Sequence, residues 1–318
     1  LTIEGLAKGL RPRLRQCLGA SAYDVVLLQR KLLPGWQLHL LRQSARRLVF
    51  DFDDAVLYRD SYDARGPHCR RRAARFGRTV RAADLVLAGN DFLAECARDA
   101  GADAGRVRVL PTCVNTDSLR PGPARSSPGL DLVWIGSSST LQGLEILRPV
   151  LERIGREVPG SRLRLICDRF VRFDPLEVVP ISWSEATESS ELAASDVGIS
   201  WVPDDLWSRG KCGLKLLQYR ACGLPSIANP VGVHPRMIRP GADGFLATTP
   251  DEWVEAVRTL ARDPALRAHM GHAARLATES GFSVAAWSGA FVAALAGGEG
   301  APTPRTFARS HLQAKASR

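Results

Sequence analysis

Nothing in this sequence approaches the roughly 18 uncharged apolar residues that a membrane-spanning helix needs, so no span is expected. The opening residues lack the pattern of a secretory signal. The seven cysteines (Cys17, Cys69, Cys96, Cys113, Cys167, Cys212 and Cys222) are odd in number, and no two stand at CxxC spacing. A disulfide framework and a zinc site are therefore both unexpected, and a reducing cytoplasm is the expected setting. No GxGxxG follows any strand-like run, which argues against a dinucleotide-dependent oxidoreductase. No repeat of fixed period appears.

What is present is apolar material for real cores, 45% of 318 residues, enough for two domains. Charge is uneven. Residues 1–120 hold 21 Lys and Arg against 13 Asp and Glu, residues 121–300 hold 18 against 20, and residues 301–318 hold four basic residues and no acidic ones. A basic surface on the first half and the tail suits an anionic partner; high arginine usage on solvated faces accounts for it equally well.

Short apolar runs alternate with helical patterns. Strands are predicted at 23–29, 47–52, 84–88 and 106–110, with helices at 34–46, 65–82 and 91–100 between them. After Pro111 the Pro-, Ser- and Gly-rich stretch NTDSLRPGPARSSPG reads as a linker. The alternation then restarts, with strands at 131–135, 162–167, 177–181, 197–202 and 225–229. Helices are expected at 141–157, 185–195, 213–221, 250–262, 264–278 and 283–296. Such alternation predicts α/β architecture: two doubly wound parallel sheets, with ligands at the carboxyl ends of the strands.

The stretch WSRGKCGLKLLQYRACGLPSIANPVG carries the densest chemistry. Leu214, Leu217 and Ala221 are spaced as a buried stripe. Lys211, Lys215 and Gln218 fall on another face, and Ser208-Arg209-Gly210 forms the loop before the helix. A helix start with nearby lysines and an arginine suits a phosphate or diphosphate; a solvated charged face would have the same spacing.

Here the chain resembles family 4 glycosyltransferases of the GT-B fold. Their signature, Glu-Gly-Phe-Gly-x4-Glu-Ala-x-Ala-x-Gly-x-Pro, aligns in register on GKCGLKLLQYRACGLP, with Gly213, Ala221, Gly223 and Pro225 in place. The stretches ADLVLAGNDFLAECARDAGA, VRVLPTCVNTD, DLVWIGSSSTLQGLEIL, ASDVGISWVPDD and GADGFLATTPDEWVEAVRTLARDPALRAHMGHAAR are similar to further parts of that family. The resemblance implies two Rossmann-like domains facing a cleft. It divides the chain into an acceptor-side domain at 1–115, a linker at 116–129, a nucleotide-sugar domain at 130–282, a helix at 283–297 packing back across the junction, and a disordered tail at 298–318. It also implies a first domain lacking its opening part, since nothing before Tyr23 reads as the family's first strand and Gly-rich acceptor loop.

The family's paired glutamates, one on the transferred sugar and one on the ribose, fall on Gly210 and Gln218. The Arg and Lys usual after the second domain's first strand are replaced by Ser137-Ser138-Ser139-Thr140. Lys215 stands where a subgroup carries a lysine, so Lys215, helped by Arg209 or Lys211, is expected to meet the diphosphate. Gln218 is expected on the ribose, Gly136 and Ser137 close to the donor, Trp183 on the nucleobase or else in the core, and Gly210, Gly213 and Leu214 along the donor.

Asp51, Asp53 and Asp54 in VFDFDDAVLY are candidates to hold hydroxyls or act as a base, or else to cap a turn. The family usually works without a catalytic metal, so neither metal nor cofactor is expected. Arg71, Arg75 and Arg78 form a stripe that could lie on anionic lipid at the inner face of the plasma membrane; no nucleic-acid motif accompanies it. His68 and His234 have no metal-like spacing. The resemblance thus implies a cytoplasmic bacterial glycosyltransferase. It would move a sugar from a nucleotide-diphosphate sugar, with retention of configuration, to a sugar, lipid-linked or small-molecule acceptor in cell-envelope glycan or glycolipid synthesis. An inactive scaffold of the same fold at the membrane, and a nucleotide-sugar epimerase, stay open.

Overall fold

The computed structural model describes residues 12–123 and 129–298. The chain forms two compact units. Among the described residues, one holds 12–112, Asp204–Cys212 and 290–298; the other holds 113–123, 129–203 and Gly213–Gly289. Most of the sequence's tail and part of its linker, 299–318 and 124–128, lie outside the described residues, as do 1–11.

The first unit is built on β1 (Val26–Gln29), β2 (Leu48–Phe52), β3 (Leu85–Ala88) and β4 (Val107–Val109), paired in that order and all parallel. A parallel sheet is covered on both faces, so its strands read as near-continuous apolar runs, and β3 is buried at every position. Alternation along the strands sorts the side chains. Phe50 and Phe52 stack at 5.0 Å, with Phe76 of the Arg70–Ala82 helix edge-on to both. On the other face Val49, Leu85 and Leu87 meet Phe291, Ala294 and Leu295 of the Val284–Ala296 helix.

The second unit carries β5 (Leu130–Ile135), β6 (Ser161–Cys167), β7 (Glu177–Ser182), β8 (Val197–Ser200), β9 (Ser226–Ala228) and β10 (Gly244–Leu246). These six parallel strands run in the order β10-β9-β8-β5-β6-β7. Leu132 and Trp134 face the helices Arg148–Glu157 and Pro250–Arg262, while Val133 and Ile135 face the helix Leu214–Ala221. Asp131 is buried in β5, and its two oxygens accept from Arg162 of β6 at 2.8 and 3.0 Å. Arg220 and Asp243 form a second ion pair sealed from solvent, 3.1 Å apart.

Several sequence expectations change. The helix predicted at 141–157 is two pieces, Leu141–Ile146 and Arg148–Glu157. Pro149 has no N–H to give a continuing helix but sits well in the first turn of a new one. The helix predicted from 65 begins at Arg70, because residues before it turn through Gly66-Pro67 and bridge Tyr58 to His68. Leu214 is 50% exposed and not part of a buried stripe; that stripe is Leu216, Leu217, Tyr219, Arg220 and Ala221. Strand β10 was not read from the sequence; its three residues are too short to show a period.

Candidate functional site

In the second unit the chain runs from β5 outward through β6 and β7, then returns to β8 on the other side of β5. The carboxyl ends of β5 and β8 therefore mark the switch point, where open α/β sheets bind ligands. The helix Leu214–Ala221 follows β8 and starts after Gly213, whose φ of +70° is strained for any residue with a Cβ.

Lys215, in the first turn of that helix, sends its ammonium to the end of β5. It donates to the Ile135 carbonyl at 2.6 Å and to Thr140 Oγ1 at 3.5 Å, and lies 4.2 Å from the Trp134 ring centroid. Gly136 makes the room: a Cβ there would stand 2.4 Å from the ammonium nitrogen and 2.4 Å from Trp134. The space over Gly136 is thus filled by Lys215. Beside it, Ser137 and Ser139 hydroxyls pair at 2.8 Å. Ser138 donates from its N–H and hydroxyl to Asp168, which holds that carboxyl below its ordinary range.

Trp183 follows β7 and is 52% exposed, so it is not core. Its indole N–H donates to Glu188 Oε2 at 2.8 Å, and Gln218 Nε2 donates to Glu188 Oε1 at 2.7 Å. One carboxylate therefore joins the two side chains assigned from sequence to base and ribose. Glu188 itself was missed. It sits in a polar stretch, SEATESSE, with no pattern to single it out.

The remaining candidates lie in the first unit. Asp53 and Asp54 follow β2, and Arg30, at the end of β1, pairs with both, at 3.0 Å for Asp54. Arg30 has φ +53°, a conformation rare outside glycine, and its N–H donates to the Asp51 carbonyl at 2.8 Å. Burial, then the neighbouring Asp53, push the Asp51 carboxyl up to about 6, a range suited to proton transfer near neutrality. Burial also raises Asp54, against the pull of Lys211 and Arg30.

The Asp204–Cys212 segment is held in this unit by Asn90, whose amide donates to the carbonyls of Arg209 at 3.4 Å and Lys211 at 3.2 Å. Arg209 is committed to Asp204 at 2.7 and 3.2 Å. Gly210 has a steric reason: its Cβ would stand 2.6 Å from the Ala55 Cβ and 2.9 Å from the Ala55 nitrogen. The sequence-predicted set is thus divided. Gly136, Ser137, Trp183, Gly213, Leu214, Lys215 and Gln218 belong to the second unit; Asp53, Asp54, Arg209, Gly210 and Lys211 belong to the first. Arg30 and Asn90 join the latter as residues the spacing did not reveal.

Two other candidates resolve differently. His234 is buried, bonded through Nδ1 to the Asn229 carbonyl at 2.8 Å, and burial lowers it to about 4. It is a neutral structural imidazole. On the Arg70–Ala82 helix Arg70, Arg71, Arg72 and Arg78 are exposed, and its first turn holds no acidic residue. Among the described residues no carboxylate lies within 4.0 Å of any of its six arginines, and no helix is long and apolar enough to cross a membrane.

Comparison with known proteins places this geometry. Residues 146–293 match a family model described as glycosyl transferase-like. D-inositol 3-phosphate glycosyltransferase of Pseudarthrobacter chlorophenolicus is 29% identical over 246 residues, 68% of this chain and 57% of the relative. D-inositol 3-phosphate glycosyltransferase 2 of Catenulispora acidiphila is 30% identical over 234 residues, 62% of this chain and 53% of the relative. The chain thus spans a little over half the length of such relatives. Anabaena HepE, solved with UDP and glucose, aligns over 90% of this chain and 81% of its own, with TM-score 0.67 and 16% identity. Sucrose-phosphate synthase from Thermosynechococcus elongatus aligns over 92% and 78%, with TM-score 0.69 and 19% identity. The fold is that of the GT-B class, two parallel-sheet α/β units, and within it residues 146–293 are similar to the glycosyl transferase-like family.

Proposed function

We propose that this protein transfers a sugar from a nucleotide-diphosphate sugar to an acceptor, with retention of configuration. The observation that carries the reading is Lys215. A cation is fixed at the switch point of the second unit, at the start of a helix, with its position set by the Ile135 carbonyl and by the absence of a side chain at Gly136. Cleavage of the sugar–phosphate bond builds negative charge on the departing diphosphate, and a preplaced cation stabilises that charge most in the transition state. Trp183 offers an exposed ring face for the base. Neither metal nor cofactor is assigned; the nucleotide sugar is a substrate.

The acceptor is assigned to the first unit, where Asp51, Asp53, Asp54, Arg30 and Lys211 mix carboxylates for hydroxyls with cations for a phosphate. A phosphorylated polyol is the first acceptor to try, since the curated relatives are named for inositol 3-phosphate. We place the protein in the cytoplasm, against anionic lipid through the Arg70–Ala82 helix, in glycan or glycolipid assembly.

One observation favours a second reading, a binding protein of the same fold without transfer: the position of the family's sugar-contacting glutamate is a glycine with no room for a side chain. Saturation-transfer NMR against a panel of nucleotide sugars, beginning with UDP-glucose, tests the donor. Product analysis with inositol 3-phosphate then separates the two readings. Donor binding followed by glycoside formation supports transfer. Binding with no transfer to any acceptor supports the second reading, and no binding at all removes both.

A further inference from the structure

We infer that Glu188 is the group that recognises the ribose diol of the donor, and that Gln218 is a positioning residue for it. This rests on the proposed nucleotide-sugar site. Gln218 Nε2 and the Trp183 indole N–H each take one oxygen of the Glu188 carboxylate, at 2.7 and 2.8 Å. They come from two different elements, the helix Leu214–Ala221 and the loop after β7, so the carboxylate is held in one orientation from both sides. An ionised carboxyl offers about four acceptor positions, and these two bonds use two. The side chain is half-buried rather than enclosed, so it stays accessible to a further donor beside the carboxyl end of β7. A cis-diol presents two O–H donors, and a carboxylate with one free position on each oxygen matches it. Gln218 cannot do this as well. Its Nε2 is engaged on Glu188, and its one remaining acceptor is a neutral carbonyl oxygen. The carboxylate that the signature would place at 218 is thus supplied from Glu188, one helix away, and the amide at 218 serves to aim it.

The test is calorimetric binding of UDP, GDP and ADP, each beside its 2′-deoxy counterpart, to the whole chain and to Glu188→Gln. For whichever base binds, the parent should prefer the ribonucleotide by about tenfold or more, the worth of a hydrogen bond to a charged group. Glu188→Gln should lose that preference, with the ribonucleotide falling to the level of the deoxynucleotide. Binding of the deoxynucleotide, which keeps one of the two hydroxyls, should fall less than that of the ribonucleotide, and a thermal melt that matches the parent shows that the variant is folded. Retention of the ribose preference in Glu188→Gln overturns the assignment while leaving the donor site standing. An equal loss of both nucleotides makes Glu188 a structural residue and also overturns it. A parent that binds none of the three ribonucleotides removes the nucleotide-sugar reading itself, and this inference with it.

Discussion

The Lys215 ammonium donates to the Ile135 carbonyl at 2.6 Å, across the gap between the helix after β8 and the end of β5. That bond fixes the position of a cation at the end of β5. Removing the side chain should weaken binding of a nucleotide diphosphate by about 1.5–3 kcal/mol, the worth of a charged hydrogen bond. It should lower kcat more than it raises KM, because phosphate charge grows during bond cleavage. Calorimetry and steady-state kinetics of Lys215→Ala check both. Unchanged affinity would remove Lys215 from the site.

Gly210 stands where the signature has glutamate, and Ala55 occupies the space a side chain would need. Gly210→Glu should therefore destabilise the first unit by about 1–3 kcal/mol, the usual penalty of overpacking. Thermal melting measures it. A variant that melts with the parent shows that the backbone here yields, and that the missing carboxylate has another cause.

Arg220 and Asp243 are both sealed from solvent, and Arg239 also donates to Asp243 at 2.8 Å. Arg220→Met leaves a buried carboxylate with one cation fewer and should lose about 3–5 kcal/mol in urea unfolding. The double variant Arg220→Met, Asp243→Leu should be more stable than the single one, because no charge is then stranded. A double variant weaker than the single would mean that the pair is net stabilising beyond its desolvation.

His234 titrates near 4 in the folded chain and near 6.5 when unfolded, because burial disfavours its charged form. Between those values the unfolded chain binds the extra proton. His234 thus removes stability as pH falls through that window, by up to about 1.4 kcal/mol per pH unit. Asp51, raised to about 6 by burial and Asp53, acts oppositely: its preference for the protonated form adds stability as pH falls through the range from about 6 toward 4. His234→Gln should therefore flatten or reverse the acid side of the stability profile. Chemical denaturation at pH 4.5, 5.5 and 7 measures the slope. An unchanged slope would show that His234 is not the titrating group.

The exposed arginines of the Arg70–Ala82 helix carry no carboxylate partners among the described residues. Binding to anionic liposomes should fall steeply with salt, since such attraction is screened beyond a Debye length of about 10 Å at 0.1 M. Replacing Arg71, Arg75 and Arg78 by Gln should remove most of it. Equal pelleting of variant and parent leaves only a solvated face.

Local rules made the strands legible. Parallel sheets bury both faces, so LVFDF, DLVLA and DLVWI stand out as apolar runs, and Gly223-Leu224-Pro225 punctuates a helix wherever it occurs. The register of the signature pointed to Lys215 and Gln218 for the same reason: spacing along one short helix survives into the structure. What spacing could not carry is contact between elements. The Glu188 carboxylate is thirty residues from Gln218 and five from Trp183, and only the packing of the Glu188–Ala193 helix against Leu214–Ala221 brings the three together. Arg30 is likewise 23 residues from Asp53, and a parallel pairing of β1 with β2 sets their meeting. Leu214 shows the limit within one helix. A leucine at helical spacing was read as core, yet it is half exposed, because burial depends on which neighbour faces that turn and spacing along the helix does not supply one. Gly210 shows the converse: a missing side chain looked like lost chemistry, and Ala55 supplies a steric reason that only tertiary structure contains.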